Sequence, residues 1–155
     1  MVSLGFLGKH ELKIDGKSRL MVPARIKKVL KEQYSKDGMQ VVVSPSLDLN
    51  LTVQPLSEFV GLMERYDQYD ELDEDARKLK NILIGMATQE KMDGSGRIRL
   101  AASLREAAGI GDEVTIVGGR RSFEIWDRAK WNQSQSSTLQ DLRQLASKVR
   151  RNQQS

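Results

Sequence analysis

K-I-D-G-K-S-R at 13–19 and K-M-D-G-S-G-R at 91–97 are two versions of one heptad. Asp15 and Asp93, Gly16 and Gly94, and Arg19 and Arg97 recur at one constant offset along the chain. The likeness continues beyond the heptad, where L-M-V-P-A-R-I-K after Arg19 answers I-R-L-A-A-S-L-R after Arg97. A 155-residue chain with this pattern uses one small unit twice, and such a repeat governs how every other element is read. A unit of about 75 residues is marginal for a separate core, so the two halves are expected to share one interface.

Asp at the head of the heptad can accept hydrogen bonds from backbone N–H groups two residues on, and glycine can supply a positive φ without steric cost. Asp-Gly between extended segments is also a strong hairpin signal. Asp15, Gly16, Asp93, Gly94 and Gly96 are therefore the expected turn-shaping residues. The arginine leaves the turn four positions after Asp. Its guanidinium can fold back on the carboxylate as a lock, or reach outward. A lock needs one cation, whereas Lys13, Lys17 and Arg19 crowd the first turn and Lys91, Arg97 and Arg99 the second. Several cations around one turn suit nucleic acid, because backbone affinity grows with the number of phosphates neutralised.

Each unit reads hairpin, short helix, hairpin. In the first, H-E-L-K-I is a strand, 19–22 resumes extended structure, and Pro23 opens a helix over 24–32. A loop over 34–38 leads to strands at 39–43 and 47–53 about a Ser44-Pro45-Ser46 turn. The second unit repeats this order: strands at 87–92 and 97–100, a helix at 103–108 stopped by Gly109 and Gly111, then strands at 113–117 and 122–126 about Gly118-Gly119-Arg120-Arg121. Between the units, 56–69 has helical spacing with Ser57 as candidate cap, and a second helix should begin in D-E-L-D-E-D. Its apolar stripe is Ala76, Leu79, Ile82, Leu83 and Met86. After Trp131 the chain turns polar, and Leu139, Leu142, Leu145 and Val149 allow one weak amphipathic helix before a frayed end. The expected division is two repeats at 5–54 and 84–127, a helical connector at 55–83, and a polar tail with a short helix at 128–155.

Composition narrows the function classes. The chain is 39% hydrophobic and 30% charged, has no cysteine, and carries one histidine, His10. Disulfide frameworks and cysteine zinc sites are excluded, and a Ser–His–Asp triad has little material. No apolar run approaches a membrane span, and the stretch M-V-S-L-G-F-L-G-K-H is too short in apolar residues for a secretory signal. Net charge is +4, but residues 64–75 hold seven acids against one base. The remainder is strongly basic, an asymmetry that can steer a polyanion to one face. The acidic run could bind a metal, yet neighbouring acids at a helix start are ordinarily solvated, and no metal or other cofactor is expected. Nucleotide-binding glycine loops and a G-x-S-x-G elbow are absent, and no catalytic residue is assigned. Trp126 and Trp131 are expected as core or interface anchors.

The segments F-L-G-K-H-E-L-K-I-D-G-K-S-R-L-M-V-P at 6–23 and I-G-M-A-T-Q-E-K-M-D-G-S-G-R-I at 84–98, with F-E-I-W-D at 123–127, resemble the MraZ family over nearly all of 6–131. The resemblance implies an α+β, mainly β fold: a pseudosymmetric swapped-hairpin, AbrB-like β-barrel from two internal repeats with flanking helices. It also implies a cytoplasmic, nucleoid-associated bacterial transcription regulator. Such a regulator binds short direct repeats in the promoter of the division and cell-wall gene cluster and assembles into a homo-oligomeric ring. The family's important arginine falls on Arg19, with its counterpart at Arg97. Ser18 departs from the family's usual glycine, so the first turn is expected to differ in local geometry.

Sequence-specific binding of double-stranded DNA, without catalysis and without a membrane, is the function expected. Arg19 and Arg97 are assigned to base edges, since arginine pairs bidentately with guanine. Lys9, Lys13, Lys17, Lys91 and Arg99 are assigned to phosphate. The first turn is expected to dominate, with the second more concerned with holding the barrel together. The alternative is an oligomeric protein-interaction module in which the Asp–Arg pairs are structural.

Overall fold

A computed structural model of the chain describes residues 3–154. Met1, Val2 and Ser155, which belong to the N-terminal stretch and the tail read above, lie outside the described residues. The fold is α+β with a mostly antiparallel sheet. Its strands are β1 (Lys9–Lys13), β2 (Arg19–Met21), β3 (Gln40–Pro45), β4 (Leu51–Pro55), β5 (Thr88–Lys91), β6 (Arg97–Arg99), β7 (Glu113–Gly118) and β8 (Phe123–Asp127). Its helices are α1 (Ala24–Gln33), α2 (Leu56–Tyr66), α3 (Glu74–Leu83), α4 (Ala102–Ala108), α5 (Arg128–Gln140) and α6 (Leu142–Gln154).

The two Asp-Gly turns do not close hairpins. β1 pairs with β7 and β5 with β3, while β2 and β6 leave the sheet and pair with each other. The strands on either side of each turn thus part company, and each finds its partner near the other copy of the heptad. The second hairpin of each unit does form, as β3–β4 and β7–β8. The six-stranded sheet runs β1-β7-β8-β4-β3-β5, an order that reads the same from either end when the units are exchanged. In the two-stranded ribbon, Leu20 sits opposite Ile98, its own counterpart in the second unit, so the pseudo-twofold axis passes between them. At the sheet centre Thr52 faces Glu124 in the same way.

The sheet is not closed on itself. β1 and β5 are the ends of an open sheet, and the ribbon is a separate pair. One core nevertheless joins them. Leu20 and Ile98 from the ribbon pack in a single buried cluster with Val41, Val43, Leu51, Val53, Val114, Ile116, Phe123 and Ile125 from the sheet and Ile26, Leu30 and Leu104 from the helices. The period-2 alternation of short strands explains this, since alternate residues turn inward. Phe6, fully buried, stacks on Tyr34 and meets Phe123 edge-on at 5.6 Å. Its carbonyl oxygen lies where a Cβ on Gly118 would fall, so only glycine lets the N-terminal segment cross β7.

Several elements differ from their expected bounds. Residues 34–38 contain a 3-10 turn over Ser35–Asp37. Ser44 and Pro45 complete β3, and the turn follows them. Ser57 does not cap α2; Pro55 precedes it, and the Ser57 hydroxyl donates to Asp37 instead. α2 ends at Tyr66, and the acidic run leads into α3, where Asp73 accepts from the N–H groups of Asp75 and Ala76. The tail is not a frayed segment with one short helix: residues 128–154 form α5 and α6, interrupted at Asp141. Neither glycine nor proline occurs after Gly119, so nothing local stops a helix whose polar surface disguises it. α5 is fixed at its start by Trp131, 5.4 Å from Trp126, and by Arg128, which donates to the Leu12 carbonyl at 2.8 Å.

Candidate nucleic-acid interface

Asp15 builds the first turn almost alone. One carboxylate oxygen accepts from the backbone N–H groups of Lys17 and Arg19, both at 2.9 Å. The other accepts from Arg19 Nε at 3.0 Å. Asp93 repeats the arrangement with Ser95 N at 2.9 Å, Arg97 N at 3.0 Å and Arg97 Nε at 3.1 Å. The Asp–Arg lock is therefore real in both copies. It engages Nε and leaves the terminal guanidinium nitrogens at the outer end of each side chain. Arg97 Nη1 also stands 4.0 Å from Asp15, which places the two turns side by side.

The left-handed residue in each turn is not the glycine after Asp. Gly16 and Gly94 lack a positive φ, and a Cβ at either would meet nothing within 4 Å. The positive φ falls on Ser18 (61°) and Gly96 (83°). Despite Ser18, the turns match in their bonds: Val22 N donates to Gly96 O at 2.9 Å, and Leu100 N to Ser18 O at 2.8 Å. The expected difference in local geometry is absent from the backbone bonding. Serine is accommodated because its hydroxyl donates to the Leu100 carbonyl at 2.7 Å and accepts from Arg105 at 3.1 Å.

Leu20 and Ile98 turn the inner face of the ribbon to the core. The outer face carries Arg19 opposite Arg99 and Met21 opposite Arg97. Three arginines share it, and Arg99 is exposed. Lys17 is exposed on the first turn, while Lys13 and Lys91, also exposed, end the strands that enter the two turns. Lys9 is not brought to this surface. It begins β1, at the opposite end of the strand from Lys13 and the turn. Two cations absent from the expected site belong there. Lys27 on α1 reaches Gly96, its Nζ 2.7 Å from where a Cβ would stand, and Arg105 on α4 holds Ser18. They too are counterparts in the repeat, each closing the octapeptide that follows its heptad.

The Arg19 backbone N–H, then that of Lys17 and the Arg19 guanidinium, hold the Asp15 carboxyl below its usual range, against partial desolvation. The Arg97 and Ser95 N–H groups and the Arg97 guanidinium do the same for Asp93. A lowered folded pKa stabilises the turn in full above the unfolded carboxylate's pKa of about 3.9, and the effect is lost as pH falls through the folded value. Amide protection of Arg19 and Arg97, followed by NMR, is expected to fade below about pH 4 while the central sheet stays protected. Turns that stay protected through full protonation would contradict this carboxylate role.

No described helix is long and apolar enough to cross a membrane, and no group of three or more His, Asp or Glu among the described residues is placed to hold a metal ion. A family model described as "MraZ protein, putative antitoxin-like" matches residues 83–152. The chain is 35% identical over 134 residues to "Transcriptional regulator MraZ" of Marinomonas sp. (strain MWYL1), covering 86% of this chain and 87% of that protein. The protein of that name from Nitrosomonas eutropha is 33% identical over 82% of this chain and 84% of its own length. The one from Pseudomonas aeruginosa is 31% identical over 90% of this chain and 91% of its own. With these relatives 31–35% identical over 82–90% of its length, the chain belongs to the MraZ family.

Proposed function

We propose that this chain is a transcriptional regulator that binds double-stranded DNA sequence-specifically through the β2–β6 ribbon and its two turns, without catalysis. One observation carries the proposal: two Asp-locked turns lie side by side about a pseudo-twofold axis, with three arginines on one outer face. Arg19 and Arg97 address base edges with their terminal nitrogens. Lys13, Lys17, Lys27, Lys91 and Arg99 address phosphate. Each lock orients its arginine, so lock and reader are one device, and a purely structural role for the pairs leaves the surrounding cations unexplained.

The finer features extend this proposal. The exchange of strands between the units supports a swapped-hairpin, AbrB-like arrangement of repeats at 5–54 and 84–127, with a connector at 55–83 and the C-terminal helices beyond. Exposed Val60, Met63, Leu72 and Ile82, with Leu142, Leu145 and Val149 on α6, support self-association, and a ring would bind direct repeats with avidity. We place the protein in the cytoplasm on the nucleoid, acting as a repressor of the division and cell-wall cluster.

Five phosphate-facing cations predict a log–log salt slope of about −4.5 per bound subunit. Titration of a duplex carrying the upstream region of the chain's own gene, across ionic strength, measures it; a flat response would remove these cations from the interface. The turn tips give a sharper test. Gly16→Ala meets open space in the free protein, so thermal stability should hold or rise slightly. A methyl between the turn and DNA should still weaken binding by about tenfold, the scale of overpacking a close contact. Unchanged affinity would mean that the tip does not approach DNA.

A further inference from the structure

At the left-handed position the two turns carry chemically unequal residues. Gly96 occupies the left-handed region in the second turn, and Ser18 occupies it in the first. A residue with a Cβ is disfavoured there, so the first turn needs support that the second does not. Ser18 uses its one hydroxyl proton on the Leu100 carbonyl at 2.7 Å. Arg105 Nη1 donates to the same hydroxyl oxygen at 3.1 Å, and Arg105 Nη2 pairs with the Asp112 carboxylate at 3.0 Å. The backbone oxygen of Asp112 in turn accepts from Ile14 N at 2.7 Å, next to Asp15. The clamp therefore holds the first turn from both sides, through Ser18 and through Ile14. In the other unit, Lys27 stands at the Arg105 position beside a glycine that offers no hydroxyl.

We infer that Arg105 is a positioning residue: with Asp112 it fixes Ser18, and through Ser18 the conformation in which Arg19 is presented. The inference rests on the ribbon being the DNA-binding face. It makes Arg105 necessary only because position 18 is serine.

The test is a double-mutant cycle on the full chain, with the upstream-region duplex as probe. Arg105→Met, which keeps the stem and removes the donors, should weaken binding about tenfold, the scale of one charge-assisted hydrogen bond. Ser18→Gly should bind within about twofold of the parent, and Ser18→Gly with Arg105→Met should bind like Ser18→Gly alone. Hydrogen exchange of the Leu100 amide, which donates to Ser18 O, should accelerate in Arg105→Met without DNA and return to the parent rate in the double variant. Asp112→Asn, at an exposed side chain, should act in the same direction as Arg105→Met and serves if that variant does not fold. A double variant as weak as Arg105→Met would overturn the inference, since Arg105 would then act independently of Ser18. Unchanged Leu100 exchange in both Arg105→Met and Asp112→Asn would overturn it too. If Arg19→Ala leaves binding intact while the exchange cycle behaves as stated, the DNA-binding proposal fails and the clamp stands.

Discussion

Arg19→Ala and Arg97→Ala are each expected to lower affinity for the upstream-region duplex by about tenfold to a hundredfold, the range for losing one bidentate base contact. The two losses should be similar. Each arginine is locked through Nε by its own aspartate, at 3.0 Å and 3.1 Å, and each lies on the outer face of the same ribbon. This departs from the expectation that the first turn dominates, which rested on its richer charge and on Ser18. The structure gives the turns matching bonds and adds Lys27 beside the second. The combined variant should not equal the product of the singles, because Arg97 also reaches Asp15 and the side chains share one surface. Stability should change little, since Asp15 and Asp93 keep their backbone N–H donors. Electrophoretic shifts beside thermal melts and size-exclusion profiles check all of this. A folded double variant with parental affinity would sink the site. A changed assembly state with unchanged affinity would instead favour the structural role of the Asp–Arg pairs.

Most of this turn was legible in the chain. Asp followed two and four positions later by the N–H groups it binds is a local pattern, and its duplication marked it as more than a chance match. The position of the left-handed residue was not legible. Asp-Gly suggests a turn with glycine at positive φ, yet the carboxylate's bonds to Lys17 and Arg19 move that demand to the fourth residue, where Ser18 meets it with help from α4. Lys27 and Arg105 escaped for a related reason. Their matching places in the two units were visible, but they sit on helices, and only the exchange of strands carries each helix to the opposite turn.

The pairing of strands was the larger gap. Asp-Gly between two extended runs favours a hairpin when the runs can bond each other. Here β2 and β6 are three residues long, and each buries one large side chain, Leu20 or Ile98. Joining them across the axis fills the core from both units at once, a gain that no local window reveals. The tail was misjudged in the opposite sense. The stripe Leu142, Leu145 and Val149 announced α6, but α5 carries no such stripe, and from Asn132 onward its residues are nearly all exposed.

Leu20→Ala should be the most destabilising of the substitutions considered, at about 2–5 kcal/mol. Leu20 is fully buried, and its cross-strand partner Ile98 is almost so. A two-stranded ribbon with three paired positions cannot stand alone in water, so its place depends on this pair. Ile98→Ala should cost a comparable amount, and the combination less than the sum, because one merged cavity replaces two facing side chains. A domain of this size has about 5–15 kcal/mol of stability, so either single variant should remain largely folded at low temperature. Its DNA affinity should nonetheless fall, because Arg19 flanks Leu20 on the same strand and Arg97 and Arg99 flank Ile98. Chemical denaturation and duplex titration on the same samples measure both effects. A stability loss under about 1 kcal/mol for Leu20→Ala, well below core truncations, would mean that the ribbon is not seated on the shared core. The two turns would then have no common platform from which to meet one stretch of DNA.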